Sequence, residues 1–461
     1  MVRRELTVVA NRLPVRRKGD EWISSPGGLV TALKPVLKDS GSWVGWSGDS
    51  EHYEPFIHDG ISVIPVHLDQ RDLDEHYAGF SNATLWPLYH HAVREPVFDA
   101  QWWDRHVDVN RRMAEAAAST APKDSLVWVH DYHLQLVPSE LRRLRPDLRI
   151  GFFLHIPFPP HELFQRLPRR RELIDGLLGS DVVGFQTDGD ADNFRRAAHA
   201  AGRSGPTDLV ATDGRIVVVD AFPISIDVAA SQDLAEDPAT HARAARIRAD
   251  LGNPDVVFLG VDRLDYTKGI DVRLEAFGQL LESGALGRSD VVFVQIAVPS
   301  RETVEDYREA RERVEQLVGQ LNGTYGRIGH PVVHYVHREL PFDVLVSMYQ
   351  MGDVMVVTPF ADGMNLVAKE FVVSRDNDEG VLVLSEFAGA ASELDDVAIL
   401  VNPYDPEAMT SALARAATLS LEDRVARMSR ARTTVVANDV HDWSAGFLNR
   451  LKGETTLREL K

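Results

Sequence analysis

The sequence predicts an α/β fold of doubly wound parallel sheets, on three observations. Short apolar, β-branched runs recur along the chain, they are continuous rather than alternating, and polar segments of helical character separate them. Strands of a parallel sheet are covered by helices on both faces, so they read as unbroken apolar runs. Strand and helix in alternation then give wound sheets rather than a sandwich or a bundle. At 461 residues the chain exceeds one ordinary core, so two domains are expected.

The strands follow in order. "LTVVA" (6–10), "SLVWVH" (125–130), "IGFFLHI" (150–156), "DVVGFQ" (181–186) and "RIVVVDAFPI" (215–224) form a first series. "DVVFLGV" (255–261), "DVVFVQIAV" (290–298), "PVVHYV" (331–336), "DVMVVTP" (353–359), "GVLVLS" (380–385) and "AILVNP" (398–403) form a second. Helical segments such as 305–321 and 406–418 lie between them. The stretch "SIDVAASQDLAEDPATHARAARIRAD" has no strand pattern and a proline near its middle, and it reads as a linker. The expected division is therefore 1–228 and 229–440, two Rossmann-like halves. Ligands of such sheets bind beyond the carboxyl ends of the strands.

Composition removes whole classes of function. Hydrophobic content of 44% and charged content of 26% are those of a globular protein in water. A formal net charge of -19 argues against a nucleic-acid partner, though not against a local basic pocket for a phosphorylated small molecule. There is no cysteine, which excludes disulfides, thiolate metal sites and a cysteine nucleophile. "MVRRELTVVANRLP" does not read as a signal peptide, and no apolar run approaches the roughly 20 residues of a membrane span. A cytoplasmic protein without a membrane partner is expected. The glycine fingerprint G-x-G-x-x-G is missing after the first strand, as are a Walker A loop, H-E-x-x-H and G-x-S-x-G. Dehydrogenase, P-loop and α/β-hydrolase readings lose their usual support.

Chemistry concentrates at strand ends. After "DVVFLGV" comes "DRLDYTKGI", which sets Arg263 and Lys268 in one strand-to-helix loop. Two cations near a helix N-terminus suit a diphosphate, through charge-assisted hydrogen bonds and the helix dipole. A solvated loop with two surface cations is the alternative, and spacing does not choose between them. After "DVMVVTP" comes "FADGMNLVAKEFVV". Its loop offers backbone N–H groups at Gly363, Met364, Asn365 and Leu366, with Asp362 before them and Glu370 about one turn into the next helix. Phosphates on the N–H groups, a sugar on Asp362 and a ribose on Glu370 would make a nucleotide-sugar site. Against this, Asp362 also suits a plain helix cap. A glutamate inside an apolar stretch is harder to explain without a partner.

In the first half, "VWVHDYHLQLVP" places Asp131 and His133 just past a strand, and "GFFLHIPFPP" does the same for His155. "SSPGGL" (24–29) has the composition of a phosphate loop, and "ANRLP" puts Arg12 at the end of the first strand, where it can meet an anion. Trp43, Trp46, Trp86, Trp102 and Trp103 read as core or rim.

Taken in order, "NRLP", "GGL", "WVGWSG", "DLDEHYAGFSNATLWP", "HDYHLQLVP", "IGFFLHIPFP", "VDRLDYTKG", "DGMNLVAKE", "VLVLSEFAGAASEL" and "VNPYD" resemble the retaining trehalose-6-phosphate synthases of glycosyltransferase family 20. The series covers nearly the whole chain. The resemblance implies a GT-B fold, two Rossmann-like domains with the active site in the cleft between them. It implies an acceptor domain at 1–228, a donor domain at 229–440, and a last helix within 441–461 ("VHDWSAGFLNRLKG") that packs back on the first domain.

For the donor, the resemblance assigns Arg263 and Lys268 to the diphosphate, Asp362 to glucose hydroxyls, Gly363 to Val367 to backbone contacts and Glu370 to the ribose. It puts Gly28 in a loop that closes over the donor and His155 beside the donor sugar. For the acceptor, it assigns Arg12, Tyr77 and Arg301 to the phosphate of glucose 6-phosphate, and Trp46, Trp86 and Asp131 to the walls and hydroxyl contacts. Arg263, Lys268, His155 and Asp131 are the expected catalytic groups. The implied reaction moves glucose from UDP-glucose or GDP-glucose to glucose 6-phosphate with retention, on one face, with no cofactor and no metal. Homo-oligomers are compatible with it.

Two places depart from the family's pattern. His76 stands before Tyr77 where a tyrosine is common, and "VHRELPFD" (336–343) differs where the base should bind, which leaves uridine or guanosine open. Rival readings are another acceptor (glycerol 3-phosphate or a cyclitol phosphate) and a silent sugar-phosphate-binding regulator.

Overall fold

The computed structural model of the chain describes residues 5–19, 21–25, 28–205, 207–286, 290–301 and 304–454. The chain divides into two compact units. Unit 1 is the chain up to Pro223 together with the residues from His441 onward, and unit 2 is Ile224–Val440.

Unit 1 contains β1 (Leu6–Arg12), β2 (Val15–Lys18), β3 (Glu21–Ser24), β4 (Ser42–Trp46), β5 (Phe56–His58), β6 (Ile61–Pro65), β7 (Leu126–His130), β8 (Arg149–Phe153), β9 (Val182–Phe185), β10 (Leu209–Val210) and β11 (Ile216–Ala221). Its main sheet has the order β10-β11-β9-β8-β7-β1-β4-β6-β5. The strands from β11 to β6 run parallel, and β10 and β5 add antiparallel at the edges. The chain enters at β1 in mid-sheet, fills β4 and β6 on one side, then crosses to β7, β8, β9 and β11 on the other. That reversal makes a switch point between β1 and β7, and a crevice beyond their carboxyl ends.

The central strands are apolar on both faces because both faces are covered. Every residue of β7 ("LVWVH") is buried, as is every residue of β9. Each Val or Leu so buried contributes about 1.5–3 kcal/mol of transfer free energy. The helix Val440–Lys452 belongs to this packing. Its Phe447 ring stacks on Trp128 with centroids 4.3 Å apart, and Trp443 lies 5.0 Å from Trp128. A Cβ at Gly151 or Gly184 would come within 2.6 or 2.8 Å of the Phe447 ring, so the helix needs glycine at those points of β8 and β9.

Unit 2 contains β12 (Val256–Arg263), β13 (Val291–Val298), β14 (Val333–Val336), β15 (Val354–Val357), β16 (Val381–Ser385) and β17 (Ile399–Val401). Their order is β14-β13-β12-β15-β16-β17, all parallel. This is the order of a dinucleotide-binding sheet, with its switch point between β12 and β15.

One expectation needs correction, and several elements went unannounced. The linker-like stretch folds as two helices of unit 2, Val228–Ala235 and Pro238–Asp250. Its proline occupies the first turn of the second helix, where a missing N–H costs nothing, and Asp237 caps that turn by accepting from the Ala239 N–H at 2.9 Å. The strands β4 and β6, and the β2–β3 hairpin, lie outside the apolar runs that mark the other strands. In "SWVGW" and "ISVIP" the tryptophans, glycine and proline dilute the β-branched signal. Residues 73–85 form a π-helix, a wide turn that sequence periodicity does not announce.

Candidate functional site

In unit 2, β12 ends at Arg263, which is exposed, and the chain turns through Tyr266–Lys268 into the helix Ile270–Ser283. Gly269 takes φ 60°, and a Cβ there would stand 2.3 Å from the Thr358 carbonyl oxygen, so the loop lies directly against the end of β15. Asp265 fixes the turn by accepting from the Thr267 N–H (3.0 Å) and hydroxyl (2.9 Å). The wholly buried Arg273 donates to the Lys268 carbonyl (2.7 Å), the Thr358 hydroxyl (2.9 Å) and the Asp262 carboxylate (2.6 Å). Each donor is satisfied by a different element, so loop, helix and β15 are locked as one piece.

The Lys268 ammonium points into this corner and lies 2.6 Å from Asp362 Oδ2. Asn365 Nδ2 donates to the same oxygen at 3.1 Å. The cap of the helix Leu366–Ser374 is Asn365, not Asp362: its side chain accepts from the Ala368 N–H at 3.2 Å. The plain-cap explanation of Asp362 is thereby answered. The loop is pinned from behind by bonds from the Asp362 N–H to the Phe387 carbonyl, the Gly389 N–H to the Asp362 carbonyl, and the Ala390 N–H to the Met364 carbonyl. Leu366 and Val367 open the helix, where N–H groups have no intrahelical acceptor. Gly363 and Met364 are buried beneath them.

Glu370 accepts from the Tyr349 hydroxyl at 2.7 Å, and burial pushes its carboxyl up while that bond pulls it down. Arg301 follows β13 with a left-handed backbone (φ 47°). Its guanidinium is only 7% exposed, bonds the Tyr307 hydroxyl and lies 3.7 Å from Asp265. Burial penalises the charge on Asp265, but Arg301, Arg263 and Lys268 outweigh it and hold the carboxyl below its usual range. Arg301, which the resemblance assigns to the acceptor phosphate, lies in unit 2. The 336–343 segment follows β14, with Arg338 and Glu339 exposed.

In unit 1 the switch point gathers Arg12, Trp46 and Asp131. Arg12 is paired in register with Trp46 across β1 and β4. Its guanidinium carbon lies 3.9 Å from the Trp46 ring centroid and 5.6 Å from that of Tyr77, so two π faces hold an exposed cation in place. The π-helix presents Tyr77, and Trp86 follows directly after it, buried against His90 and Tyr132. Asp131 takes φ 76° and ψ 165°, a region almost reserved for glycine and costing about 1–3 kcal/mol. The carboxylate it aims accepts from the His155 N–H at 3.3 Å.

His155 Nε2 faces His130 Nδ1 at 3.1 Å, and burial lowers the His155 imidazolium pKa to about 3, so the ring is neutral. A second pair lies under the π-helix: His76 Nδ1 is 3.0 Å from His106 Nδ1, both fully buried. The tyrosine-to-histidine departure at His76 is therefore an interior change. Gly28 begins the helix Gly28–Leu37, and Pro26 and Gly27 of the expected phosphate loop lie outside the described residues, as do 455–461 of the terminal segment.

Sequence reasoning missed Asp265, Arg273, Tyr307, Tyr349, His130 and His106. Asp265 had a signal, an acid between two cations in "RLDYTK". Tyr349 and Tyr307 had none, because only the fold brings them in. Among the described residues no group of three or more His, Asp or Glu is placed to hold a metal ion, and no helix is long and apolar enough to cross a membrane.

The site can be set beside known proteins. The family model of glycosyltransferase family 20 matches residues 4–453. The trehalose-6-phosphate synthase of Mycolicibacterium vanbaalenii is 52% identical over 97% of this chain and 96% of its own length. That of Mycolicibacterium smegmatis is 51% identical over 98% of this chain and 93% of its own. An Escherichia coli trehalose-6-phosphate protein solved with UDP-2-fluoro glucose is 36% identical, with TM-score 0.90 over 98% of this chain and 99% of that one. An α,α-trehalose-phosphate synthase (UDP-forming) of Burkholderia xenovorans, solved with glucose 6-phosphate, is 35% identical, with TM-score 0.89 over 97% and 100%. The fold is GT-B, with two Rossmann-like sheets. On this match along nearly its full length, the chain is a glycosyltransferase and belongs to glycosyltransferase family 20.

Proposed function

We propose that this chain makes α,α-trehalose 6-phosphate, by transferring glucose from UDP-glucose to the anomeric hydroxyl of glucose 6-phosphate with retention. The observation that carries the reading is the corner at the β12/β15 switch point. There Lys268, Asp362 and a helix N-terminus stand together beside the end of the strand that bears Arg263. A diphosphate and a hexose need those groups at that spacing. The relatives solved with UDP-2-fluoro glucose and with glucose 6-phosphate support the substrate pair.

In this reading Arg263, Lys268 and the N–H groups from Gly363 to Val367 take the charge that grows on the leaving diphosphate. Asp362 holds glucose hydroxyls and Glu370 the ribose. Neutral His155 meets the donor sugar, with Gly28 in the loop over it. Arg12, Tyr77 and Arg301 hold the acceptor phosphate, and Trp46, Trp86 and Asp131 orient the hexose for attack. The leaving phosphate oxygen takes the proton of the incoming hydroxyl on the same face, so neither a protein nucleophile nor a metal is required.

A matrix of UDP-, GDP- and ADP-glucose against glucose 6-phosphate, glycerol 3-phosphate and a valienol-type acceptor tests this. Fastest turnover with UDP-glucose and glucose 6-phosphate is expected. Faster turnover with another acceptor would replace the substrate assignment, and GDP-glucose as the better donor would move the base.

A further inference from the structure

Two side chains fix the backbone of the helix Leu366–Ser374 around Glu370. Asn365 caps its first turn by accepting from the Ala368 N–H at 3.2 Å. The wholly buried Lys369 donates to the Ile224 carbonyl at 3.0 Å and meets Glu393 at 2.7 Å. Neither bond restrains the three rotatable bonds of the Glu370 side chain itself. Tyr349 does so. Its hydroxyl donates to Glu370 Oε2 at 2.7 Å, and its ring is wholly buried, edge-on to Phe371 with centroids 6.5 Å apart. Burial, then the Glu370 charge, push the phenol well above its ordinary pKa, so the tyrosine keeps its proton and the carboxylate accepts. We infer that Tyr349 is a positioning residue for the donor: it holds one oxygen of Glu370 and so aims the carboxylate's remaining acceptor sites at the ribose hydroxyls.

The inference rests on the reading of Glu370 as the ribose acceptor. An ionised carboxylate offers about four acceptor sites on its two oxygens, so one bond from Tyr349 leaves enough for two neighbouring hydroxyls. A glutamate free to rotate would have to be ordered as the donor binds, and that cost would be subtracted from affinity. Tyr349 orders it beforehand. The helix that carries Tyr349, Phe342–Met351, opens within the 336–343 segment that the resemblance gives to the base. One element thus leads from the base segment to the ribose carboxylate. The ribose takes no part in the bond changes, so its contacts are alike in the ground state and the transition state. Their loss should raise KM for the donor and leave turnover nearly unchanged.

The test compares UDP-glucose with its 2′,3′-dideoxyribose analogue, at saturating glucose 6-phosphate, on wild type, Tyr349→Phe, Glu370→Ala and the double variant. Tyr349→Phe should raise the KM for UDP-glucose by about three- to tenfold, the effect of one side chain left to be ordered on binding, with little change in kcat. The analogue should be the poorer donor for wild type, and that gap in KM should narrow in Tyr349→Phe. In the Glu370→Ala background, Tyr349→Phe should add nothing. Because the gap compares two donors on one protein, a loss of folded enzyme does not move it. A gap as wide in Tyr349→Phe as in wild type overturns the inference, since a tyrosine that only packs would leave it so. A further rise in KM on adding Tyr349→Phe to Glu370→Ala overturns it too. Wild type that uses both donors equally well would instead remove the ribose from Glu370, and the inference with it, a failure visible before any variant is made.

Discussion

At the switch point of unit 2, cations sit against carboxylates: Arg273 on Asp262 at 2.6 Å, Lys268 on Asp362 at 2.6 Å, Arg301 on Asp265 at 3.7 Å. At the switch point of unit 1 the exposed cation Arg12 rests on aromatic faces, and imidazoles stand in pairs, His130 with His155 and His76 with His106. The two sheets have the same winding and put their loops at the same place, yet they solve desolvation differently. Unit 2 keeps charges by pairing them with carboxylates. Unit 1 rests the exposed Arg12 on aromatic faces and holds imidazole rings that burial keeps neutral and that take up charge only in acid.

The largest effect expected from this contrast is at Arg263. Arg263→Ala should lower turnover by roughly 100-fold or more, the loss typical of one preorganised donor to a developing anion, with an unchanged melting temperature. Arg12→Ala should act differently, raising the KM for glucose 6-phosphate by about tenfold, as loss of a charge-assisted contact does, with less change in turnover. Equal effects on turnover from both would erase the distinction between the two switch points.

Acid gives the next effect, and it should fall on unit 1. Burial, helped by the Arg112 charge, brings the His76 pKa to about 3, against about 6.5 in an unfolded chain. Above pH 6.5 both states are neutral and nothing is lost. As pH falls below 6.5 the unfolded chain binds a proton that the native ring refuses, so stability declines until the native ring also protonates near 3. At pH 5 the loss is about 2 kcal/mol for this one ring. Burial also lowers His106, His130 and His155, in the same direction. Hydrogen exchange between pH 7 and pH 5 should show protection falling first in β7, β8 and the π-helix. Earlier loss around β12 and β15 would contradict the contrast.

The sequence made the unit 2 corner legible because its parts lie in two short stretches. Arg263 with Lys268, and Asp362 through Glu370, each follow an unbroken apolar strand, and period and position suffice to place them. What joins the stretches was not legible. Lys268 pairs with Asp362 across 94 positions, and Tyr349 reaches Glu370 from a separate helix. Unit 1 was read less completely, since β4 and β6 carry tryptophan, glycine and proline in place of a β-branched run. The strained backbone of Asp131 and the π-helix that carries Tyr77 likewise have no periodic signature. The segment 225–250 was misread because a proline inside a polar run is equally a break or a first helical turn. Only Asp237 before it tips the balance, by capping.

The central claim is retaining transfer to the anomeric hydroxyl of glucose 6-phosphate. It is tested most directly by incubating the purified chain with UDP-glucose labelled with carbon-13 at C1, plus glucose 6-phosphate, and following the anomeric signals by NMR. The account predicts one new labelled α-anomeric carbon, bonded through oxygen to the second anomeric carbon of a 6-phosphorylated disaccharide. A β-configured label, a linkage to any other hydroxyl, or release of free labelled glucose alone would contradict it.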